Sequence, residues 1–136
     1  MRHDLRELDL FSEASRSELN VIGRQLTRLN VPAGTVLARE GAFGHEFMVL
    51  VEGEAEVNQG GRTIARIGRG DLVGEMALLH EPGRGRRNAT VTAVTDVVLY
   101  AGSPSEFRRI LDAAPSVAEK VRRSAASRSR EQLQAA

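Results

Sequence analysis

Gly74, Glu75 and Arg87 have the residue types and spacing to hold a small phosphorylated ligand. Gly74 carries no side chain at a point where backbone could come close to a ligand, and Met76-Ala77-Leu78-Leu79 behind it are good helix formers. The unpaired N–H groups of a first helical turn would then face an anion. Glu75 in that turn can accept hydrogen bonds from sugar hydroxyls, and Arg87 offers a planar fork suited to phosphate oxygens. The blander role for Glu75 is to complement a helix dipole. Taken together, the three residues suggest a cradle for a ligand that carries both a phosphate and a ribose.

The run Gly74-Glu75-Met76-Ala77-Leu78-Leu79, followed by Arg87-Asn88-Ala89-Thr90-Val91, resembles the phosphate-binding cassette of the cyclic nucleotide-binding domain family. The likeness, to catabolite activator protein-like and cyclic-AMP-dependent kinase regulatory subunit-like members, extends over Leu10-Phe11, Val31 to Thr35, Glu40-Gly41, Val51 to Ala55, Gly70-Asp71 and Phe107. It implies a β-roll that binds 3′,5′-cyclic AMP, or cyclic GMP, with no cofactor and no metal. By that resemblance Glu75 accepts the ribose 2′-hydroxyl and Arg87 grips the exocyclic phosphate oxygens, while Val73, Gly74, Met76, Ala77, Asn88 and Ala89 complete the cassette. Asn88 either donates to the phosphate or closes a loop on its own backbone. A threonine at 88 would have pointed to cyclic GMP. Val57, Ile64 and Ala65 are expected to line the roll beside ribose and base, as core residues that double as pocket wall. The last helix would form a lid, with Arg122 or Arg123 as the candidate to stack on the purine; the blander reading is a solvated charged face. One departure stands out: the connection His80 to Arg86 is longer than in most members. Arg84 could reach the same space and strand alternation turns Arg86 and Arg87 to opposite faces; Arg87-Asn88-Ala89-Thr90-Val91 matches the family's tail best, so the resemblance implies Arg87 as the phosphate ligand and Arg86 as a solvated neighbour.

The elements that must position these residues follow from the hydrophobic pattern. Leu19, Ile22 and Leu26 recur at helical spacing behind Ser15 or Ser17 as a cap, with Glu18 in the first turn. From residue 26 to about 102 the chain turns to short segments rich in valine, isoleucine and threonine, punctuated by glycine, as in an all-β sandwich or barrel. Expected strands are Glu46 to Val51, Glu54 to Asn58, Arg62 to Ile67, Thr90 to Thr95 and Val97 to Tyr100, with Gln59-Gly60-Gly61 as a hairpin turn. Ser103 caps a helix beginning at Pro104 and carrying Phe107, Ile110 and Leu111 on one face. Pro115 separates it from a last helix, Ser116 to about Leu133, with a thin apolar stripe of Val117, Val121 and Ala125. That stripe can pack back on the roll or pair with its twin in a homodimer. The expected architecture is mainly β with flanking helices: a double-stranded, jelly-roll-like β-roll (26–102, cassette 73–91) between an N-terminal helical segment (1–25) and hinge and lid helices (103–136).

Composition excludes several function classes. A chain of 136 residues reads as a single domain with one core. Nineteen basic side chains nearly balance eighteen acidic ones, so the overall field favours neither nucleic acid nor a membrane surface as partner. No segment after Leu133 could form a helix-turn-helix, so DNA binding by this chain alone is not expected. Absence of cysteine removes disulfides, thiolate metal sites and a cysteine nucleophile. His3, His45 and His80 lack metal-ligand spacing, and no serine sits in Gly-x-Ser-x-Gly, which leaves no catalytic site. With neither a membrane-spanning run nor a secretory leader, a cytoplasmic regulatory module is expected. The alternatives are a β-roll kept as a non-binding interaction module, or the ligand-binding fragment of a larger transcription regulator, enzyme or channel.

Overall fold

The computed structural model describes residues 3–43, 46–74 and 86–123. Two short N-terminal pieces, α1 (His3–Glu7) and a 3-10 turn (Asp9–Phe11), lead into α2 (Arg16–Gln25). Ser15 caps α2 through a reciprocal box, its hydroxyl accepting from the Glu18 N–H while the Glu18 carboxylate accepts from the Ser15 N–H. Eight strands follow: β1 (Thr27–Val31), β2 (Val36–Ala38), β3 (Phe47–Glu52), β4 (Ala55–Gln59), β5 (Arg62–Ile67), β6 (Leu72–Val73), β7 (Thr90–Ala93) and β8 (Val97–Gly102). They pair antiparallel in two four-stranded sheets, ordered β1-β8-β3-β6 and β2-β7-β4-β5. The expected mainly β class with flanking helices is the observed one. Gly60 and Gly61 both take positive φ in the β4–β5 hairpin, the conformation that a two-residue turn of the mirror-image type needs.

α3 (Pro104–Ala113) starts on a second capping box, from Ser103 and Glu106, with proline in its first turn. Only Ala114 interrupts it before α4, helical over 115–123 in the described residues. Pro115 therefore opens the last helix at a position where its missing N–H costs nothing.

Period-two alternation divides the core in two. On β3, Phe47, Val49 and Val51 face the helices and join Leu5, Phe11, Ile22, Tyr100, Phe107, Ile110 and Val117. Met48 and Leu50 face the other way, between the sheets, with Ala55, Val73, Val91, Ala93, Leu99 and Ala101. A strand covered on both sides is an uninterrupted apolar run, which is why Phe47 to Val51 contains no polar residue. Phe47 stacks on Phe107 of α3 with ring centroids 4.0 Å apart, fixing that helix to the outer face of the sheet.

Of the final helix's expected apolar stripe, Val117 and Val121 are fully buried against this chain's own N-terminal segment and sheet, and Ala125 lies outside the described residues. Lys120, the only lysine in the sequence, fastens the same helix to the 3-10 turn. Its ammonium donates to the Asp9 carbonyl and to Ser12 Oγ at 3.0 Å, and pairs with the Glu13 carboxylate at 3.1 Å. Its side chain is only 13% exposed, so these contacts escape much of the screening that weakens surface pairs. Lys120→Met keeps most of the aliphatic stem and removes the charge. It is expected to cost about 1–3 kcal/mol, read as a lower midpoint in urea with an unchanged slope. An unaltered midpoint would mean that the ammonium contacts contribute nothing.

Candidate functional site

Arg87 and Gly74 meet although thirteen positions separate them, and the backbone explains how. β6 pairs with β3 through Met48 opposite Val73, which fixes the next residue, Gly74, beside the start of β3. From the other side, the residues before β7 pair with the turn after β2. The Gly41 N–H donates to the Arg87 carbonyl at 2.9 Å and the Arg87 N–H to the Ala42 carbonyl at 2.7 Å, beside a single bridge between Phe43 and Arg86. The Arg87 side chain then turns inward, and its Nη2 donates to the Glu46 carbonyl at 2.7 Å.

Gly74 takes φ +93°, a region that side chains disfavour. A Cβ built there would lie 2.5 Å from Arg87 Nη1 and 2.5 Å from the Glu46 oxygen. The glycine is thus required twice, by its dihedral and by the guanidinium lying against it. Nη1 itself is buried.

Arg87 and Glu46 line one end of a cavity of about 320 Å³ between the sheets, at the small end of the range for ligand sites. Its walls are apolar: Leu29 and Val31 of β1, Val36, Leu37 and Ala38 of β2, Met48 of β3 and Leu99 of β8. Arg39, Ala42 and Phe43 complete it. Two arginines, Arg87 and Arg39, in a pocket whose other walls are largely apolar suit a ligand with a compact anion and a flat apolar body. Among the described residues, no cluster of histidine, aspartate or glutamate could hold a metal ion.

The sequence-expected residues fall at several places. Val73, Gly74 and Arg87 come together as described, Val73 being buried between the sheets. Asn88 follows Arg87 at an exposed position, and its carbonyl accepts from Gln59 Nε2 at 3.0 Å. Ala89 is half-buried beside it. Glu75, Met76 and Ala77, and the connection from His80 to Gly85, lie outside the described residues.

Val57 packs half-buried on the inner core, apart from the residues that line the cavity. Ile64 departs from the expectation that it lines the roll, since it is 54% exposed. The β4–β5 register steps from Ala65 to Thr63 opposite the consecutive residues Val57 and Asn58, which leaves Ile64 as the extra residue of a bulge. Arg86 is not simply solvated: its guanidinium lies 4.5 Å from the centroid of the Phe43 ring and donates to the Gly41 carbonyl at 2.9 Å. Arg123 is exposed on α4 and pairs with Glu119 one turn away at 3.4 Å. Sequence reasoning missed the β1 and β2 walls together with Phe43 and Glu46. The two glycine-flanked breaks at Pro32-Ala33-Gly34 and Gly41 bracket β2, but three residues are too few to show an alternation.

Comparison with known proteins agrees with this geometry. The family model described as cyclic nucleotide-binding domain matches residues 28–114. The cAMP-dependent protein kinase regulatory subunit of Schizosaccharomyces pombe is 33% identical over 108 residues, 79% of this chain and 26% of the relative. A cyclic nucleotide-gated potassium channel of Rhizobium etli is 34% identical over 120 residues, 88% of this chain and 32% of the relative. The crystal structure of the Thermus thermophilus catabolite activator protein superposes with a TM-score of 0.77 at 29% identity, covering 90% of this chain and 59% of that one. This chain therefore spans between a quarter and a third of the two curated relatives.

Gly74→Ala should destabilise the protein by about 1–3 kcal/mol, the usual cost of a strained backbone position made worse by a clash. The same substitution should cost less in an Arg87→Ala background, where one of the two obstructing groups has gone. Equal losses in the two backgrounds, measured by urea unfolding, would show that the guanidinium does not lie against Gly74.

Proposed function

The chain belongs to the cyclic nucleotide-binding domain family, and we propose that it is a sensing module which binds 3′,5′-cyclic AMP without transforming it. The observation that carries this reading is Arg87, held at one end of a largely apolar cavity by the Glu46 carbonyl and lying against Gly74, where positive φ and close contacts disfavour any side chain. A cyclic phosphate bears one negative charge and needs no metal. A guanidinium with backbone N–H groups is sufficient to hold it. In this reading Glu75 takes the ribose 2′-hydroxyl, the segment 74–79 presents its N–H groups, and the apolar walls accept the purine. The relative from Schizosaccharomyces pombe is named for its dependence on cyclic AMP, which favours that nucleotide over cyclic GMP.

The output is mechanical. α3 rests on β3 through the Phe47–Phe107 stack, and α4 is fastened beyond it by Lys120. A ligand that rearranges the cassette shifts the population of positions these helices occupy, by as much as it prefers one position over the other.

Isothermal titration should give saturable cyclic AMP binding, with cyclic GMP weaker and 5′-AMP, which carries an open dianionic phosphate, weaker still. Arg87→Ala should reduce affinity about 30- to 150-fold, as expected when a charge-assisted contact worth about 2–3 kcal/mol is lost. Cyclic AMP should also raise the unfolding temperature, since a ligand selective for the native state must stabilise it. No thermal shift with either cyclic nucleotide at large excess would overturn the reading in favour of a non-binding interaction module.

A further inference from the structure

Two arginines stand side by side at 86 and 87, and the structure gives them different surroundings. Arg87 turns into the cavity. Arg86 turns onto the turn that follows β2, where its guanidinium covers one face of the Phe43 ring at 4.5 Å and its Nη1 donates to the Gly41 carbonyl. Phe43 is 51% exposed, an unusual place for a phenylalanine that contributes nothing to either core cluster. About half of the residue stays exposed, and besides lining the cavity the ring has the Arg86 guanidinium over one face.

That turn supplies backbone contacts that help to orient Arg87. Gly41 and Ala42 pair with the Arg87 backbone, and the Glu46 carbonyl accepts from its fork. We propose that Arg86 and Phe43 form a clasp that positions Arg87: the stack holds residues 41–43 against residues 86–87, and the backbone pairing of Gly41 and Ala42 with Arg87 in turn sets the phosphate-binding residue in place before ligand arrives. Arg86 is a positioning residue that acts through Phe43 and the pairing of Gly41 and Ala42 with Arg87, and it makes no contact with the anion. Preorganisation of this kind raises affinity by removing the need to order the fork on binding. A guanidinium is required because its flat face covers a ring while its edge donates to a carbonyl; an ammonium cannot do both.

The competing account makes Arg86 a second cation that attracts the phosphate by charge alone. The two accounts predict opposite results for Arg86→Lys. In ligand-free protein, the Arg87 Nε–Hε signal, assigned by its loss in Arg87→Lys, should be a sharp NMR resonance. It should broaden in Phe43→Ala, Arg86→Ala and Arg86→Lys, and sharpen again in Phe43→Trp. In cyclic AMP titrations, which rest on the function proposed above, Phe43→Ala, Arg86→Ala and Arg86→Lys should each weaken binding about 5- to 20-fold. The Phe43→Ala/Arg86→Ala double variant should bind no worse than the poorer single, and Phe43→Trp should restore affinity. An Arg87 signal indifferent to Phe43→Ala, additive losses in the double variant, or wild-type affinity in Arg86→Lys would each overturn the clasp. Should the wild-type protein bind no cyclic nucleotide, the proposed function fails and the NMR comparison still decides the clasp.

Discussion

Three consecutive residues leading into β3 tie the molecule together, because a strand buried on both faces sends its neighbours in different directions. The Glu46 carbonyl holds the Arg87 fork, Phe47 stacks on the α3 phenylalanine, and Met48 lines the cavity and pairs with the residue before Gly74. Within three residues the chain touches the cationic anchor, the helical layer and the ligand-sized space. Cores are close-packed and deform in discrete steps, so these three contacts are not independent of one another.

This arrangement gives the proposed sensing a physical route. The Glu46 carbonyl accepts from the Arg87 fork, which ties the guanidinium to the backbone at the entrance to β3. Whatever reorients the guanidinium acts on the peptide group that precedes Phe47, and Phe47 is the residue that carries α3. The sensing proposed above would need no long pathway, because Glu46 and Phe47 are adjacent in the chain.

Much of the architecture could be read from the sequence where local chemistry is strong. Ser15 with Glu18, Ser103 with Pro104, and the paired glycines at 60 and 61 each specify a geometry within four residues, and each appears as expected. The interior run from Phe47 to Val51 is legible for the same reason. What escaped was the product of distant pairing. β1 is almost wholly exposed and its alternation is only two apolar residues long, Leu29 and Val31, while β2 is too short for any. Ile64 reads as a wall residue until the bulge in β5 displaces it, and a bulge is set by the partner strand. Arg86 reads as solvated because nothing in the sequence brings Phe43, more than forty positions away, underneath it. The final helix's thin stripe left its partner open, and Val117 and Val121 are spent within the chain.

The two contacts that hold the C-terminal helices differ in kind, and the difference matters for movement. Phe47 against Phe107 is an apolar contact inside a sealed core, where separating the rings exposes surface on both sides and has no aqueous substitute. Lys120 against Asp9, Ser12 and Glu13 is a polar fastening at the edge, with partners that are themselves exposed. Water can take over each of its hydrogen bonds, so opening it costs far less than the gross strength of the contacts. α4 is held by both kinds of contact: Val117 and Val121 lie fully buried in the same core as Phe107, while Lys120 fastens the edge. The apolar contacts and not the polar ones therefore set the cost of lifting this helix from its seat.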